Sequence, residues 1–356
     1  MNLRLFLILG VLSLFISSFS CSNKSNRSRK PAVNINISSV HQKIIYGDDV
    51  NIGIAVKLKD GQLKETKVFV DSLLVISSTE IEFTHYLKKF KSLGKHTLKV
   101  VATKTDGVEG IYYKNFEVYS EISPELFTYE VVQTYPHNAE FFTQGLEINK
   151  GFLYEGTGEN GKSGIYKTEL KSAKILQSYK LADRYFGEGI TIMNNRIFQL
   201  TYKNKTAFVY DLENIARVDS FTFSSTEGWG LTNDGQNLIM SDGTNVLTYI
   251  DPTTYKKVKN IHVYDDKEPI FYLNELEYVE GFIYANVWST NLIVKIELAT
   301  GKVVSKINLD GILKMTDPNK PVDVLNGIAI DPATGKMYVT GKYYPRLYEI
   351  KPVKKG

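Results

Sequence analysis

The sequence has a single cysteine, Cys21, among 356 residues. No disulfide can therefore form within the chain, and a cysteine-built zinc site is not indicated. The five histidines are dispersed, with no HxxxH or HxH spacing. A GxSxG motif, a phosphate-binding loop and a dinucleotide fingerprint are also missing, because "GTGENGKSG" lacks the required spacing. We therefore expect no metal and no other cofactor.

A strong charge of one sign is missing as well. The formal net charge is +4, and Lys and Arg are scattered along the chain. This pattern gives no support to nucleic-acid binding. Tryptophan is scarce at 2 residues, whereas Tyr (23) and Phe (18) are abundant, which is typical of a strand-rich protein.

The N-terminal stretch "MNLRLFLILGVLSLFISSFSCSNKSN" has a basic start at Arg4, an apolar run and small residues before Cys21. The run is short for a membrane span and is typical of an export signal. It resembles a bacterial lipoprotein signal, although Ser18 stands where Leu is usual. We predict a signal peptide at 1–21, a lipid on Cys21 that anchors the chain to a membrane, and a flexible tether at 22–30. Simple secretion with an incidental cysteine is the alternative.

The expected location is therefore the cell envelope of a Gram-negative bacterium, as a periplasmic or outer-membrane lipoprotein.

From 31 to 120, short alternating runs such as "VNIGIAVKL" and "HTLKVVATKTDG" are separated by turns. This spacing predicts two packed antiparallel sheets. Since no Cys and Trp pair marks an immunoglobulin domain, we predict only an Ig-like or fibronectin-like β-sandwich.

A repeat begins after residue 127. Its five hairpin segments are "QGLEINKGFLYEGTG", "EGITIMNNRIFQLTY", "WGLTNDGQNLIMSDG", "NELEYVEGFIYANVW" and "NGIAIDPATGKMYVTGK". They recur at about 45 residues, which is typical of propeller blades. The last unit is one strand short, and the earlier segment "FTYEVVQTY" can fill the gap. We predict an all-β protein, with a five-bladed β-propeller over 127–356.

Counting outward from the turn of each hairpin predicts which residues of its two strands face each other. With Glu275 as the first position of the fourth repeat, it pairs Glu188 with Thr201, Asn274 with Val287 and Asn326 with Gly341. Because the blades repeat around one axis, unusual residues at these positions should meet at one mouth of the central channel. They are Gln144, Glu188, Trp229, Asn274, Trp288 and Lys342.

Each of these residues alone has an ordinary explanation as a solvated acid, a packed ring or a surface charge. Burying an acid, a lysine and an amide together is costly unless they pair or act on a ligand. His137 in "YPHNAEFFTQG" is ambiguous. Asp242 and Glu159 are better explained as turn or loop residues.

The motifs "YPHNAEFFTQGLE", "FGEGIT", "EGWGLT", "LNELEYVEGFIYANVW", "VLNGIAID" and "VTGKYYPRLYEI" occur in order between 127 and 350. This region resembles the plant-type glutaminyl-peptide cyclotransferases. The resemblance implies a five-bladed propeller that converts the N-terminal glutamine of a peptide or protein to pyroglutamate with loss of ammonia. The implied site comprises Phe142, Gln144, Glu188, Trp229, Asn274, Trp288 and Lys342. Tyr202 departs from the pattern by standing where a tryptophan is expected.

The roles follow from this implied chemistry. We expect Glu188 to act as general base and acid, and Asn274 or Lys342 to stabilise the negative charge on the amide oxygen. The aromatic residues would hold the substrate folded back on itself, and Gln144 would orient one of its polar groups. The scheme requires no metal.

Two other functions remain open from the sequence. A non-catalytic propeller could use the same ring of residues to hold a peptide end or a sugar. A calcium-dependent lactonase-type propeller is a weaker alternative. That class needs several carboxylates and amides on one ion, whereas Glu188 and Glu275 are the acids at the first repeat positions.

Overall fold

The computed structural model describes residues 28–313 and 322–355. The predicted signal peptide at 1–21, including Cys21, and most of the predicted tether lie outside the described residues. Across the two described ranges the named elements are all strands. They contain no helix with the length and apolar character of a membrane span.

The N-terminal part forms two sheets that enclose one core. Its strands are β1 (Ala32–Ser38), β2 (Ile44–Ile45), β3 (Val50–Lys57), β4 (Leu63–Val70), β5 (Leu73–Ser78), β6 (Glu82–Leu87), β7 (Gly94–Lys104) and β8 (Glu109–Tyr119). The sheet orders are β1-β3-β6 and β2-β8-β7-β4-β5. Alternate residues of β3 and β7, such as Ile52 and Leu98, are buried in the shared core. The Ig-like or fibronectin-like character, and the predicted boundaries at 31–120 and 127–356, stay predictions.

The rest of the chain folds into five blades of four strands each. Strand β9 (Glu125–Pro136) comes first. Blade 1 contains β10 (Thr143–Asn149), β11 (Phe152–Thr157), β12 (Gly164–Glu169) and β13 (Ile175–Lys180). Blade 2 contains β14 (Gly187–Met193), β15 (Arg196–Thr201), β16 (Thr206–Asp211) and β17 (Arg217–Thr222). Blade 3 contains β18 (Leu231–Asn233), β19 (Leu238–Met240), β20 (Val246–Ile250) and β21 (Lys257–His262).

Blade 4 contains β22 (Leu273–Val279), β23 (Phe282–Val287), β24 (Leu292–Glu297) and β25 (Val303–Asn308). Blade 5 contains β26 (Leu325–Ile330), β27 (Met337–Gly341) and β28 (Arg346–Lys354), and β9 completes it. The pairing of β9 with β28 is antiparallel, with Leu347 opposite Tyr135. The inner strands contact one another in a closed ring, in the order β10, β14, β18, β22 and β26. The predicted five-bladed propeller, closed by its first strand, is confirmed.

Apolar side chains from neighbouring blades fill the spaces between them. Leu200 of blade 2 packs with Leu231 of blade 3, for example, in one of five such clusters. The inner strands are buried on both faces, as in β14, where every residue is buried. These clusters hold the inner strands in place and so position the residues at the ends of those strands.

The N-terminal sheets pack against the side of the propeller. Tyr264, in the connection between blades 3 and 4, is buried in the N-terminal core, and its hydroxyl donates to Glu117 Oε1 at 2.8 Å. Lys302 Nζ donates to Glu121 Oε1 at 2.6 Å and lies 3.7 Å from the ring centroid of Tyr46. The N-terminal part therefore has specific contacts with blade 4 and with the connection that leads into it.

The hairpin register predicted from the sequence holds near the turns, as in Ile190 opposite Gln199, but it is wrong by one residue at the starts of the inner strands. Thr201 lies opposite Gly187 instead of Glu188, Val287 opposite Leu273, and Gly341 opposite Leu325. Each inner strand of blades 1, 2, 4 and 5 has a register shift at this point. Such a bulge inserts one unpaired residue into the strand. Turn-centred arithmetic cannot detect it, because the extra residue lies away from the turn.

The bulge also corrects the repeat alignment, since Asn274 and not Glu275 is equivalent to Glu188. The next position is Gly in four blades, where the inner strands approach closely. A Cβ on Gly145 would lie 2.4 Å from Ile190 N, and one on Gly230 would lie 1.8 Å from Asn274 O. In blade 4 that position is Glu275. Its carboxylate crosses the axis to accept hydrogen bonds from Leu146 N (3.2 Å) and Ile328 N (2.8 Å).

Candidate active site

One polar or aromatic residue at or just before the start of each inner strand lies at the same end of the axis. The five residues are Gln144, Glu188, Trp229, Asn274 and Asn326. Hydrogen bonds join neighbouring inner strands at this level. Gly189 N donates to Trp229 O at 2.7 Å, and Asn326 Nδ2 donates to Gln144 Oε1 at 3.1 Å. Four of the predicted site residues are therefore brought together, and Asn326 joins them.

Glu188 is buried, with 4% of its surface exposed. Burial raises the pKa of its carboxyl well above the ordinary 4.5. The nearby Lys342 ammonium lowers this pKa in part, and the negative charge of Glu227 raises it further. None of these neighbours donates a hydrogen bond to Glu188. By contrast, the buried Glu277 accepts one from Ile330 N at 2.8 Å. Glu188 is thus a buried carboxylate free to exchange a proton with a ligand.

Lys342 follows directly after β27 and is also buried. Burial lowers the pKa of its ammonium, and Glu188 and Asp323 oppose that shift. Its Nζ lies 4.5 Å from the centroid of the Phe142 ring, within the range of a cation–π interaction. Its backbone N–H donates to Val324 O at 3.0 Å. These contacts hold the cation at the same end of the axis as Glu188.

The amide side chains are partly committed to protein contacts. Asn326 Nδ2 donates both to Gln144 Oε1 and to Thr143 O, the latter at 2.9 Å, so the Gln144 Nε2 group is the end left to donate. Asn274 Oδ1 is buried with no hydrogen-bond partner among the described residues. An unpaired buried acceptor costs free energy, and a bound molecule with an N–H group would satisfy it.

One wall of the site is a row of aromatic rings from blades 1 and 2. The Phe142 and Phe186 centroids are 5.9 Å apart and perpendicular, and Phe186 and Tyr202 are 5.7 Å apart. Tyr343 also packs on Phe142, at 5.3 Å. The predicted residues Phe142 and Tyr202 therefore lie in one row. Lys203 Nζ lies 4.7 Å from the Tyr202 ring centroid at its outer end.

A second aromatic wall comes from blades 3 and 4. The rings of Trp229 and Trp288 are 5.8 Å apart at 74°, and Tyr272 lies 6.0 Å from Trp288. Trp229 Nε1 donates to Glu227 Oε2 at 3.0 Å. Trp288 is 39% exposed, so it lies at the mouth of the site and Trp229 lies deeper.

Sequence reasoning did not assign six of these residues to the site: Phe186, Lys203, Glu227, Tyr272, Asn326 and Tyr343. Phe186 directly precedes the "GEG" motif and Asn326 heads the fifth repeat, so both carried a signal. Glu227 and Tyr272 lie in connections between blades, where no repeat pattern indicates a role.

His137, which the sequence left ambiguous, forms a buried ion pair behind the site. Its Nε2 lies 3.1 Å from Glu155 Oε2, and its Nδ1–H donates to Tyr344 O at 2.6 Å. Thr143 Oγ1 donates to the same carboxylate at 2.6 Å. Burial by itself lowers the pKa of His137, but Glu155 and the Tyr344 carbonyl outweigh it and raise the pKa above 6.5. The pair anchors the segment that carries Phe142 and Gln144.

The assembled site combines a proton-exchanging carboxylate, a cation, amide groups and aromatic walls. Such a set can hold a small polar group, move a proton and stabilise a developing oxyanion. Within the described ranges, no three His, Cys, Asp or Glu side chains are grouped as metal ligands.

Comparison with known proteins identifies the family. Residues 109–352 match the model of the glutamine cyclotransferase family. The chain is 40% identical over 237 residues to the glutaminyl-peptide cyclotransferase of Arabidopsis thaliana, covering 65% of this chain and 73% of that protein. The crystal structure of Myxococcus xanthus glutaminyl cyclase matches with a TM-score of 0.61 and 32% identity, covering 66% of this chain and 100% of that one. Together with the closed five-bladed ring, these matches establish that the chain belongs to the glutamine cyclotransferase family.

Proposed function

We propose that this protein cyclises the N-terminal glutamine of peptides or proteins to pyroglutamate and releases ammonia, with Glu188 as the group that moves the proton. Family membership supports the reaction. The observation that carries the assignment of Glu188 is its buried carboxylate, which has a raised pKa and accepts no hydrogen bond from the neighbours that shift this pKa.

The reaction forms one bond and breaks another. The α-amine nitrogen of the substrate attacks the carbon of its own side-chain amide and forms the C–N bond of the lactam. The bond from that carbon to the amide nitrogen then breaks. A proton leaves the attacking nitrogen and another joins the departing one, so the protons balance. Glu188 accepts the first proton and returns it to the leaving group, an effect typically worth about 10² to 10⁴ in rate.

Negative charge builds on the amide oxygen in the tetrahedral intermediate. Lys342 is the fixed cation near Glu188 and supplies the compensating charge. We assign the unpaired Asn274 Oδ1 to accept an N–H of the substrate, and the Gln144 Nε2 group to donate to one of its carbonyls. Of the two residues that the sequence offered as the oxyanion donor, Asn274 and Lys342, we therefore assign Lys342.

The aromatic walls restrict the substrate to the folded-back shape that brings the amine to the amide carbon. Phe142 and Phe186 form one wall, and Trp229 and Trp288 form the second. Tyr202, in place of the expected tryptophan, keeps an aromatic face and adds a hydroxyl at the edge of the site.

The direct test follows ammonia release from a glutamine-initiated peptide by the purified protein, together with the mass of the peptide product. We expect ammonia and a pyroglutamyl product in equal amounts, with a chelator present. Absence of release at every pH between about 6 and 9 would refute the assignment.

We further propose that the protein acts in the cell envelope, attached to a membrane through a lipid on Cys21. The support is the export-type segment at 1–21 and the use of Cys21 as the sole cysteine. Its substrates would then be exported peptides or proteins. In a bacterial host, incorporation of a labelled fatty acid that is lost in Cys21→Ser would support the anchor, and an unlabelled parent protein would contradict it.

A further inference from the structure

A row of three aromatic rings leads from the candidate active site to the protein surface. Trp229 is half-buried, Trp288 is 39% exposed and Tyr272 is 54% exposed. Successive ring centroids are 5.8 Å and 6.0 Å apart. Phe271, beside Tyr272 in the chain, is 46% exposed. The row therefore continues the inner wall outward and ends in exposed apolar surface.

Tyr272 is held firmly although its ring is exposed. Its φ is +62°, a conformation that is unfavourable for a bulky side chain. Its N–H donates to Gly243 O at 2.8 Å, and its carbonyl accepts from Trp288 N at 2.8 Å. Gly243 itself packs on the indole of Trp229, because a Cβ there would lie 2.7 Å from Cζ2. The position of Tyr272 is thus tied to both tryptophans.

The other aromatic row ends differently. Its outer ring, Tyr202, is covered by Lys203 at 4.7 Å, and Lys203 Nζ lies 3.5 Å from Glu227. That side of the mouth therefore presents a charged pair. The side formed by Phe271 and Tyr272 presents apolar surface.

We propose that Tyr272 and Phe271 form a subsite for an apolar or aromatic side chain on the second residue of the substrate peptide. This inference rests on the proposed function. If the N-terminal glutamine occupies the buried site, the chain after it has to leave through the mouth. One extended residue spans about 3.3 to 3.6 Å, so the second side chain lies at the rim of the pocket. Exposed rings next to a buried site are suited to such a contact.

The test compares two substrates, glutaminyl-phenylalanine amide and glutaminyl-glycine amide. In Tyr272→Asn the ring is removed, and Asn tolerates positive φ. We expect kcat/KM for the phenylalanine substrate to fall about three- to tenfold, mainly through KM. The glycine substrate should change less than about twofold. Tyr272→Phe should keep the preference.

A matched control is Tyr113→Asn, which removes a tyrosine that is 65% exposed on β8. It should leave both substrates unaffected. An equal fall on both substrates in Tyr272→Asn would overturn the subsite, because the ring would then act on the glutamine pocket. No change on either would overturn it too. If the unaltered protein releases ammonia from neither substrate, the proposed function itself fails.

Discussion

Replacing Glu188 with Gln tests the proposed mechanism most directly. The two side chains have nearly the same shape, and the neighbours that shift the pKa of Glu188 donate no hydrogen bond that would be lost. The variant should therefore fold and bind substrate. It cannot accept and return the proton, so we expect kcat to fall by about 10² to 10⁴, equivalent to about 3 to 5 kcal/mol of activation free energy. KM should change little.

The same substitution should increase stability. Because the pKa of Glu188 is raised in the folded protein, ionisation opposes folding, and the wild-type protein loses stability as pH rises from the ordinary pKa of 4.5 through the folded value. Gln cannot ionise and escapes this loss. Glu188→Gln should thus show a higher Tm than the wild-type protein at neutral pH, with little difference near about pH 4.

Glu277→Gln is the matched control. Glu277 is a second buried glutamate with a raised pKa, and its hydrogen bond from Ile330 N can be kept by the Gln carbonyl. It should gain stability in the same way but retain activity. Ammonia release by Glu188→Gln within about threefold of the wild-type rate, or an equal loss in Glu277→Gln, would refute the role of Glu188.

Three further variants test the surrounding groups. Lys342→Met should lower kcat by about 10² to 10³ without a comparable rise in KM; in steady-state kinetics, a change confined to KM would show that Lys342 only binds substrate. His137→Ala should lower the free energy of unfolding by about 3 kcal/mol. Because the pKa of His137 is raised in the folded protein, this contribution is present below about pH 6.5 and fades as pH rises through the folded value; denaturant titrations with the same deficit at all pH values would disagree. Burial raises the pKa of Glu147 to about 7, so ionisation of its carboxyl opposes folding. The protein therefore loses stability as pH rises from 4.5 through about 7. Glu147→Gln should therefore melt at a higher temperature than the wild-type protein at pH 8 but not at pH 4, and parallel melting curves would contradict this.

Much of the architecture could be predicted from the sequence, because it depends on local periodicity. Strand alternation, turn residues and a repeat of about 45 residues are properties of neighbouring positions. They were enough to predict five blades, the missing strand of the last blade and its replacement by β9. The unusual residues at equivalent repeat positions, such as Gln144 and Glu188, were visible for the same reason.

The details of the site depend on contacts between distant segments, which no local pattern contains. The bulge shifts Glu188 out of the predicted register, Asn326 donates to Gln144 of the neighbouring blade, and Trp229 meets Trp288 only because blades 3 and 4 pack side by side. The raised pKa of Glu188 is likewise a result of burial by neighbouring blades. The sequence by itself determined the repeat and the kinds of residue at its turns and strand starts, whereas the tertiary structure decided which of these residues contact one another. The physical reason is that periodicity is set within a few residues, but desolvation and charge pairing require segments from all five blades to meet.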